Sequence, residues 1–359
     1  MNCEQASHTL KMTKTFEPLP RIEVIKAIER RYPRRIPLVL AKFWGEGLQI
    51  LHGDALSRFD RFPEDVVMAM IDPIRFEEMG LPWTFNQSGA HDARNVLDDW
   101  GKLDEFIDHF PRPEGDPYFE KVAIMADYAR ENDLYFIFGW WGFFFERPWA
   151  IRGMFNLLKD YIQNPEQVHK LYDALCETYL AYLKYAIREF SPDGFLTSDD
   201  LGHQQQMFVS QKMFRTFHKP RYERIGALLK EHGIHWWLHS CGNNYGIMGD
   251  LADAGVNVFH PVQKHTMDEK KVAQEFGDRM TFLAGLDIQQ ILPHSTPEEI
   301  RAEVRFLIDT FDRPEGGMCI AAGNGILPDT PLENIEAFLE EALIYGELKR
   351  SRETNRQSN

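Results

Sequence analysis

A chain of 359 residues with 43% hydrophobic and 26% charged residues can bury a large core without disulfide or metal staples, so small scaffolds and wholesale disorder are excluded. Lys plus Arg number 40 against 55 Asp plus Glu, a net charge of −15, the wrong sign for gripping nucleic acid or an anionic membrane surface. Four cysteines (Cys3, Cys176, Cys241, Cys319) are too few for a disulfide framework. Residues 1–20 hold no apolar stretch of signal-peptide length, which points to a reduced, cytoplasmic setting. The most apolar run, Leu134 to Phe145, stops at Glu146-Arg147, short of the ~20 residues a membrane helix needs.

In chain order, residues 1–20 read as a polar tail. Arg35-Ile-Pro-Leu-Val-Leu-Ala41 has the character of a strand. Residues 47–116, rich in Asp, Pro and aromatics, read as loops and short helices. Leu134-Tyr-Phe-Ile-Phe138 is a second strand, and Asn164-Pro-Glu-Gln-Val opens a long amphipathic helix running to about Phe190. From there a unit repeats, a short β-type run ending in polar residues and then a helical pattern. Gly194-Phe-Leu-Thr-Ser-Asp-Asp200 precedes a helix at 210–232, His235-Trp-Trp-Leu-His-Ser-Cys241 one at 244–254, and Val256-Asn-Val-Phe-His260 one at 268–276. Thr281-Phe-Leu-Ala-Gly-Leu-Asp287 precedes a helix at 297–311, and Gly317-Met-Cys-Ile-Ala-Ala-Gly323 precedes the last, at 331–347. Ser295-Thr-Pro-Glu-Glu-Ile and Asp329-Thr-Pro-Leu-Glu-Asn are matching helix starts, a capping residue followed by Pro and acid in the first turn.

Strands alternating with helices at this spacing imply parallel pairing through crossovers. No linker interrupts 21–348 and no G-x-G-x-x-G or Walker sequence occurs, so the expected fold is a single α/β domain, a (β/α)8 TIM barrel with an N-terminal extension. A polar tail is expected over 349–359. In such a barrel chemistry sits at the C-terminal ends of the strands. Those ends supply Asp199 and Asp200, His239 and Cys241, His260 and Gln263, Asp287 and Asn324.

His239-Ser-Cys241-Gly242 is the sharpest of these. Side chains at i and i+2 of a strand share a face, so the imidazole and the thiol can reach one point, and Gly242 lets the chain turn away. Zinc suits that pair, with a buried, inert cysteine as the plain alternative. His203 and His218 flank a helix start and join the ligand candidates if the loop after Asp200 folds inward; otherwise they are surface or internally satisfied histidines. Cys319 lies too far down its strand and reads as a core thiol, as does Cys176. Asp199 and Asp200 point to opposite faces, so one of them serves the pocket; Asp287, like them, is either a catalytic acid or a helix cap. His260, Gln263 and Asn324 can orient a substrate by hydrogen bonds. Nine of the residues from Tyr135 to Trp149 are aromatic, with Glu146 and Arg147 beside them. Trp140, Trp141 and Glu146 therefore read as a wall for a flat or methylated ligand, or else the run is plain core packing.

Taken in order, Ser198-Asp-Asp-Leu-Gly202, Pro220-Arg-Tyr222, Leu238-His-Ser-Cys-Gly242, Leu251-Ala-Asp-Ala-Gly-Val256, Pro261-Val-Gln263, Phe282-Leu-Ala-Gly-Leu-Asp287 and Pro328-Asp-Thr-Pro-Leu-Glu-Asn334 carry a resemblance over about 150–345. The series resembles the uroporphyrinogen decarboxylase superfamily, and within it the branch of corrinoid-dependent methyltransferases. The resemblance implies a (β/α)8 barrel and zinc at His239 and Cys241. Uroporphyrinogen decarboxylases carry an Arg-rich segment after the first strand. Here that place reads Ala41-Lys-Phe-Trp-Gly-Glu-Gly-Leu-Gln, which would neutralise a polycarboxylate poorly. Asn324 stands where thiol-acting zinc methyltransferases have a further Cys, and the spacing of His203, His218 and His239 resembles the ligand spacing of related demethylating enzymes, with His in place of acids.

The expected function is therefore methyl transfer between a small methylated donor, such as a methoxy-aromatic or a methylamine, and a corrinoid, assisted by zinc at His239, Cys241, His203 and His218. Asp199, Asp200 and Asp287 are the candidate catalytic acids, and Trp140, Trp141, Glu146, His260, Gln263 and Asn324 the candidate substrate contacts. The chain has no D-x-H-x-x-G corrinoid signature, so the corrinoid is expected on a separate protein. Pairing into a homodimer is left open. Decarboxylation of uroporphyrinogen is the alternative, and a ligand-binding barrel without turnover the second.

Overall fold

The structure, a computed structural model, describes residues 16–76 and 96–357, with side chains as far as Arg350. Cys3 and most of the expected N-terminal tail lie outside the described residues. The principal elements begin with α1 (Arg21–Ile28), α2 (Glu46–His52), β1 (Val66–Met70), α3 (Leu103–Asp108), α4 (Phe119–Glu131), β2 (Tyr135–Trp140), α5 (Glu146–Arg152), α6 (Met154–Gln163) and α7 (Pro165–Phe190). Next come β3 (Gly194–Ser198), a one-turn π-helix (Phe214–His218) that runs into α8 (Lys219–Glu231), β4 (His235–His239), α9 (Met248–Ala254), β5 (Val256–His260) and α10 (Glu269–Phe276). The chain ends with β6 (Thr281–Leu286), α11 (Ile291–His294), α12 (Pro297–Phe311), β7 (Met318–Ala322) and α13 (Leu332–Gln357).

Strand order follows the chain, β1 to β7. Each described strand pairing is parallel, as β2 with β3 (Phe138 opposite Phe195), β3 with β4 (Ser198 opposite His239) and β6 with β7 (Ala284 opposite Ile320). Parallel strands need a crossover, which is why helices intervene. Contacts group the chain into two compact units, one of Met1–Val67, Ala129–Tyr135 and Val258–Asn359, the other of Met68–Tyr128 and Phe136–Asn257.

In the second unit β3 and β4 are buried at every position, so they read as continuous apolar runs rather than alternating ones. The long helix α7 starts with Pro165 in its first turn and buries Val168, Leu171, Leu175, Leu180 and Leu183. In the first unit α12 opens on a full capping box, Thr296 Oγ1 accepting from the Glu299 amide while Glu299 Oε2 accepts from the Thr296 amide. Among the described residues no helix is long and apolar enough to cross a membrane.

Three expectations are corrected. Arg35–Ala41 makes an isolated bridge, Leu38 to Ile320, and not a strand. Pro37 has no amide to give a ladder, and Leu40 turns the chain out of extended geometry at φ 55°. The described residues hold seven strands. Within 47–116, read as loops and short helices, Val66-Val-Met-Ala-Met70 is a strand, a short apolar run of the kind a buried parallel strand shows. The last helix runs past residue 347 to Gln357, and Arg350 ties it down through the carboxylate of Asp312.

Candidate metal and active site

The site of the second unit starts at the ends of β3 and β4. His239 is the last residue of β4 and 5% exposed, and Cys241 follows it on the same face. Cys241 Sγ is 3.4 Å from His239 Nε2, and Asp200 Oδ1 is 3.7 Å from the same nitrogen. The ligand atoms of Asp200, His239 and Cys241 all lie within 4.8 Å of one another. Burial pushes the His239 imidazolium down to about 4, so the ring is neutral at pH 7 and keeps a lone pair for a metal.

The turn that holds this trio is tightly bonded. Asp200 Oδ1 accepts from the Cys241 amide at 2.7 Å. Ser240 Oγ donates to the Asp199 carbonyl, and Asn244 Nδ2 donates to the carbonyls of Ser240 and Cys241. Gly242 takes φ 79°, and a Cβ there would lie 2.2 Å from the Gly202 carbonyl oxygen, so only glycine passes.

The two adjacent aspartates part company. Asp199, fully buried, turns away from the trio: its Oδ1 accepts from the amides of Phe145 and Glu146 at the start of α5, and its Oδ2 accepts from Tyr222 of α8 at 2.6 Å. It holds a helix start and is spoken for as a hydrogen-bond acceptor. Burial raises its carboxyl to about 7 against those bonds. Glu146, set at that helix start, accepts from Ser198 Oγ. Burial, with the charges of Asp200 and Asp199, lifts Glu146 to about 8, so it keeps a proton at neutral pH.

Of the aromatic run, Tyr135, Phe136, Phe138, Trp140, Phe143, Phe144 and Phe145 are core. Trp140, expected at the substrate, is fully buried against Tyr179 and Phe195, since alternation along β2 turns it inward. Trp141 turns the other way. It is 39% exposed and meets the His239 ring edge-on at 5.6 Å.

The other expected ligands and contacts are elsewhere. His218 is buried between tyrosines, its Nε2 3.0 Å from Tyr161 Oη, which is 2.6 Å from Tyr172 Oη, and burial depresses it to about 3. The π-turn faces it inward, away from a ligand role with His239. His203 is exposed and packs edge-on against Phe208. Neither belongs to the trio, and Asp200, read as an acid, does. In the first unit His260 Nε2 lies 3.1 Å from the Ala322 carbonyl, and Asn324 Oδ1 accepts from the Gly325 amide. Asp287 Oδ1 accepts from the amides of Gln290 and Ile291, a cap for α11, while Gln263 offers its carbonyl to Thr266. Cys319 and Cys176 are buried, and burial raises both thiols.

Sequence reasoning missed Ser198, Ser240, Tyr222 and Asn244 as parts of the frame. Ser198, Ser240 and Tyr222 stand inside the motifs that carried the resemblance, which was the available signal.

Residues 149–343 match the family described as Uroporphyrinogen decarboxylase (URO-D). A methylated-thiol--coenzyme M methyltransferase of Methanosarcina mazei is 25% identical over 189 residues, 53% of this chain and 48% of the relative. A methylcobamide:CoM methyltransferase MtaA of Methanosarcina barkeri is 27% identical over 185 residues, 51% of each chain. These matches thus span about half the length of the curated relatives. A solved methyltransferase from Methanosarcina mazei superposes over 90% of this chain and 97% of its own with a TM-score of 0.59 at 18% identity, a likeness of fold.

Proposed function

From the premise that this chain belongs to the uroporphyrinogen decarboxylase family, we propose that it is a methyltransferase that moves a methyl group between a small methylated donor and a corrinoid carried by a separate protein. The observation that carries the reading is the trio of Asp200, His239 and Cys241. Its imidazole nitrogen, sulfur and carboxylate oxygen are the donor set zinc prefers, and three protein ligands are the number a catalytic zinc keeps while leaving a position open. Asp200 supplies the third ligand in place of the cysteine that Asn324 replaces, and His203 and His218 drop out. Zinc bound there supplies Lewis acidity toward the heteroatom of the donor.

The chain's own residues do the rest. His239 stays neutral and fixed. Glu146 lies at the start of α5 and accepts from Ser198 Oγ, and the burial that favours its protonated form suits a group that protonates a departing oxygen, nitrogen or sulfur. Asp199 keeps the start of α5, and with it Glu146, in place. The printed activities of the two Methanosarcina relatives, one on methylated thiols and one on methylcobamide, support methyl transfer over decarboxylation. The lack of an Arg-rich segment near Lys42 supports the same choice.

Metal analysis of the purified chain tests this directly. Near-stoichiometric zinc, lost in His239→Ala and in Cys241→Ala, is expected, together with methyl transfer to cob(I)alamin from a methoxy-aromatic or thioether donor. Absence of metal from the unaltered protein refutes the zinc reading; porphyrin formation from uroporphyrinogen selects the decarboxylase, and no turnover of either selects the binding barrel.

A further inference from the structure

We propose that Trp141 is the specificity-determining wall of the donor site, and that Ser198 and the Asp72–Arg147 pair are positioning residues that act through it; this rests on the reading that the donor binds beside His239. Trp141 is the most exposed member of the aromatic run, at 39%, and its ring meets that of His239 edge-on at 5.6 Å, an apolar face set beside the polar groups of the trio. Its backbone is held on both sides. The Trp141 carbonyl accepts from Arg147 Nη2 at 3.0 Å, and the next amide, Gly142 N–H, donates to Ser198 Oγ at 2.9 Å.

Arg147 is itself fixed. It is 7% exposed, pairs with Asp72 Oδ1 at 2.8 Å and donates to the Ile74 carbonyl. Its charge is thus matched internally, and its fork is used on backbone rather than on a ligand. Gly142 sits at φ 82°, and a Cβ there would come within 3.3 Å of Arg147 Nη2, so the turn and the guanidinium are fitted to each other. A backbone held this way fixes the point from which Trp141 presents its ring, which lowers the ordering cost when a ligand arrives. The chemistry that profits is a flat, uncharged donor that can lie against the indole while its heteroatom faces the trio. A small aliphatic donor gains little from the wall.

The test uses the full chain, with 2-methoxyphenol as the probe in equilibrium binding and zinc content as the parallel readout. Trp141→Ala should weaken the probe about tenfold, the scale of one lost aromatic contact, and Trp141→Phe should restore most of it. Ser198→Ala and Asp72→Asn should each weaken it about threefold and raise acrylamide quenching of Trp141, judged against Trp141→Phe. Zinc content should be the same in all. No binding of the probe by the unaltered chain, or equal affinity in Trp141→Ala, overturns the wall. Unchanged affinity and quenching in both Ser198→Ala and Asp72→Asn overturn the clamp. Zinc-free protein that still shows the Trp141 pattern sinks the zinc reading while sustaining this one.

Discussion

At the end of β4, a histidine and a cysteine turn their ligand atoms toward the carboxylate of Asp200, whereas His260 Nε2, Asp287 Oδ1 and Asn324 Oδ1 at the ends of β5, β6 and β7 meet backbone groups. Both sets looked alike as residue types at strand ends. The difference lies in who serves the local backbone. In the β4 turn, Ser240 and Asn244 take up the carbonyls, and the imidazole and the thiol lie side by side at 3.4 Å. After β6 the job falls to Asp287 itself, and a carboxylate that accepts two amides of a helix start is a cap. A polar strand end thus reads as a site where ligand atoms from neighbouring strands converge, and as a cap where one carboxylate gathers the amides of a helix start.

Exchanging the two sets of residues should break that contrast most visibly. If Asp200 is the third ligand as proposed, Asp200→Ala is expected to weaken zinc binding by about 100-fold or more, since even residues that only support a ligand are worth ~10–100-fold, while Asn324→Ala leaves it unchanged; competition with a chelating dye measures both. Equal losses would mean that the first unit supplies a ligand. Next in size, Asp199→Asn should cost about 2–3 kcal/mol in urea unfolding, because one of three buried donors loses its acceptor, yet leave zinc stoichiometry intact. Loss of zinc alone, without loss of stability, would return Asp199 to the catalytic list.

His218 gives a third, slightly smaller effect. Its folded pKa is depressed to about 3 from 6.5, so between these values the unfolded chain binds a proton that the folded chain refuses. Stability is full above about pH 6.5 and falls as the pH drops, by about 2 kcal/mol at pH 5 from this residue. The gap between the unaltered chain and His218→Gln in urea midpoints at pH 7 and pH 5 isolates it; parallel pH dependences would place a charged histidine inside the fold. Smallest of all, Asp287→Ala should cost about 1 kcal/mol, the worth of a cap, with zinc and methyl transfer untouched.

The repeat of strands and helices in the C-terminal half was legible because apolar runs, Pro and capping residues all agreed, as they do at Thr296-Pro-Glu-Glu. The His239-Ser-Cys241 pair was legible for a geometric reason, the period of two along a strand. The division of labour between Asp199 and Asp200 was predicted in form, one to each face, but not which served the site. That depends on Tyr222 and the start of α5, which are distant in sequence. Residues 35–41 misled because their apolar run outweighed the effect of Pro37 and of the positive φ at Leu40. Spacing reads His218 either as a ligand or as a satisfied histidine, and its burial against Tyr161, a partner distant in sequence, is not legible there.

The π-turn that holds His218 has a consequence of its own. A π-turn accommodates one residue more than an α-turn, and each residue advances an α-helix by about 100°. The surplus residue in Phe214–His218 therefore sets the angular phase with which α8 leaves it. Tyr222 reaches Asp199 only in that phase. Removing a single residue from the turn would swing the phenol to another side of the helix, and the carboxylate that anchors the neighbourhood of the site would lose its clocking from a point outside every motif.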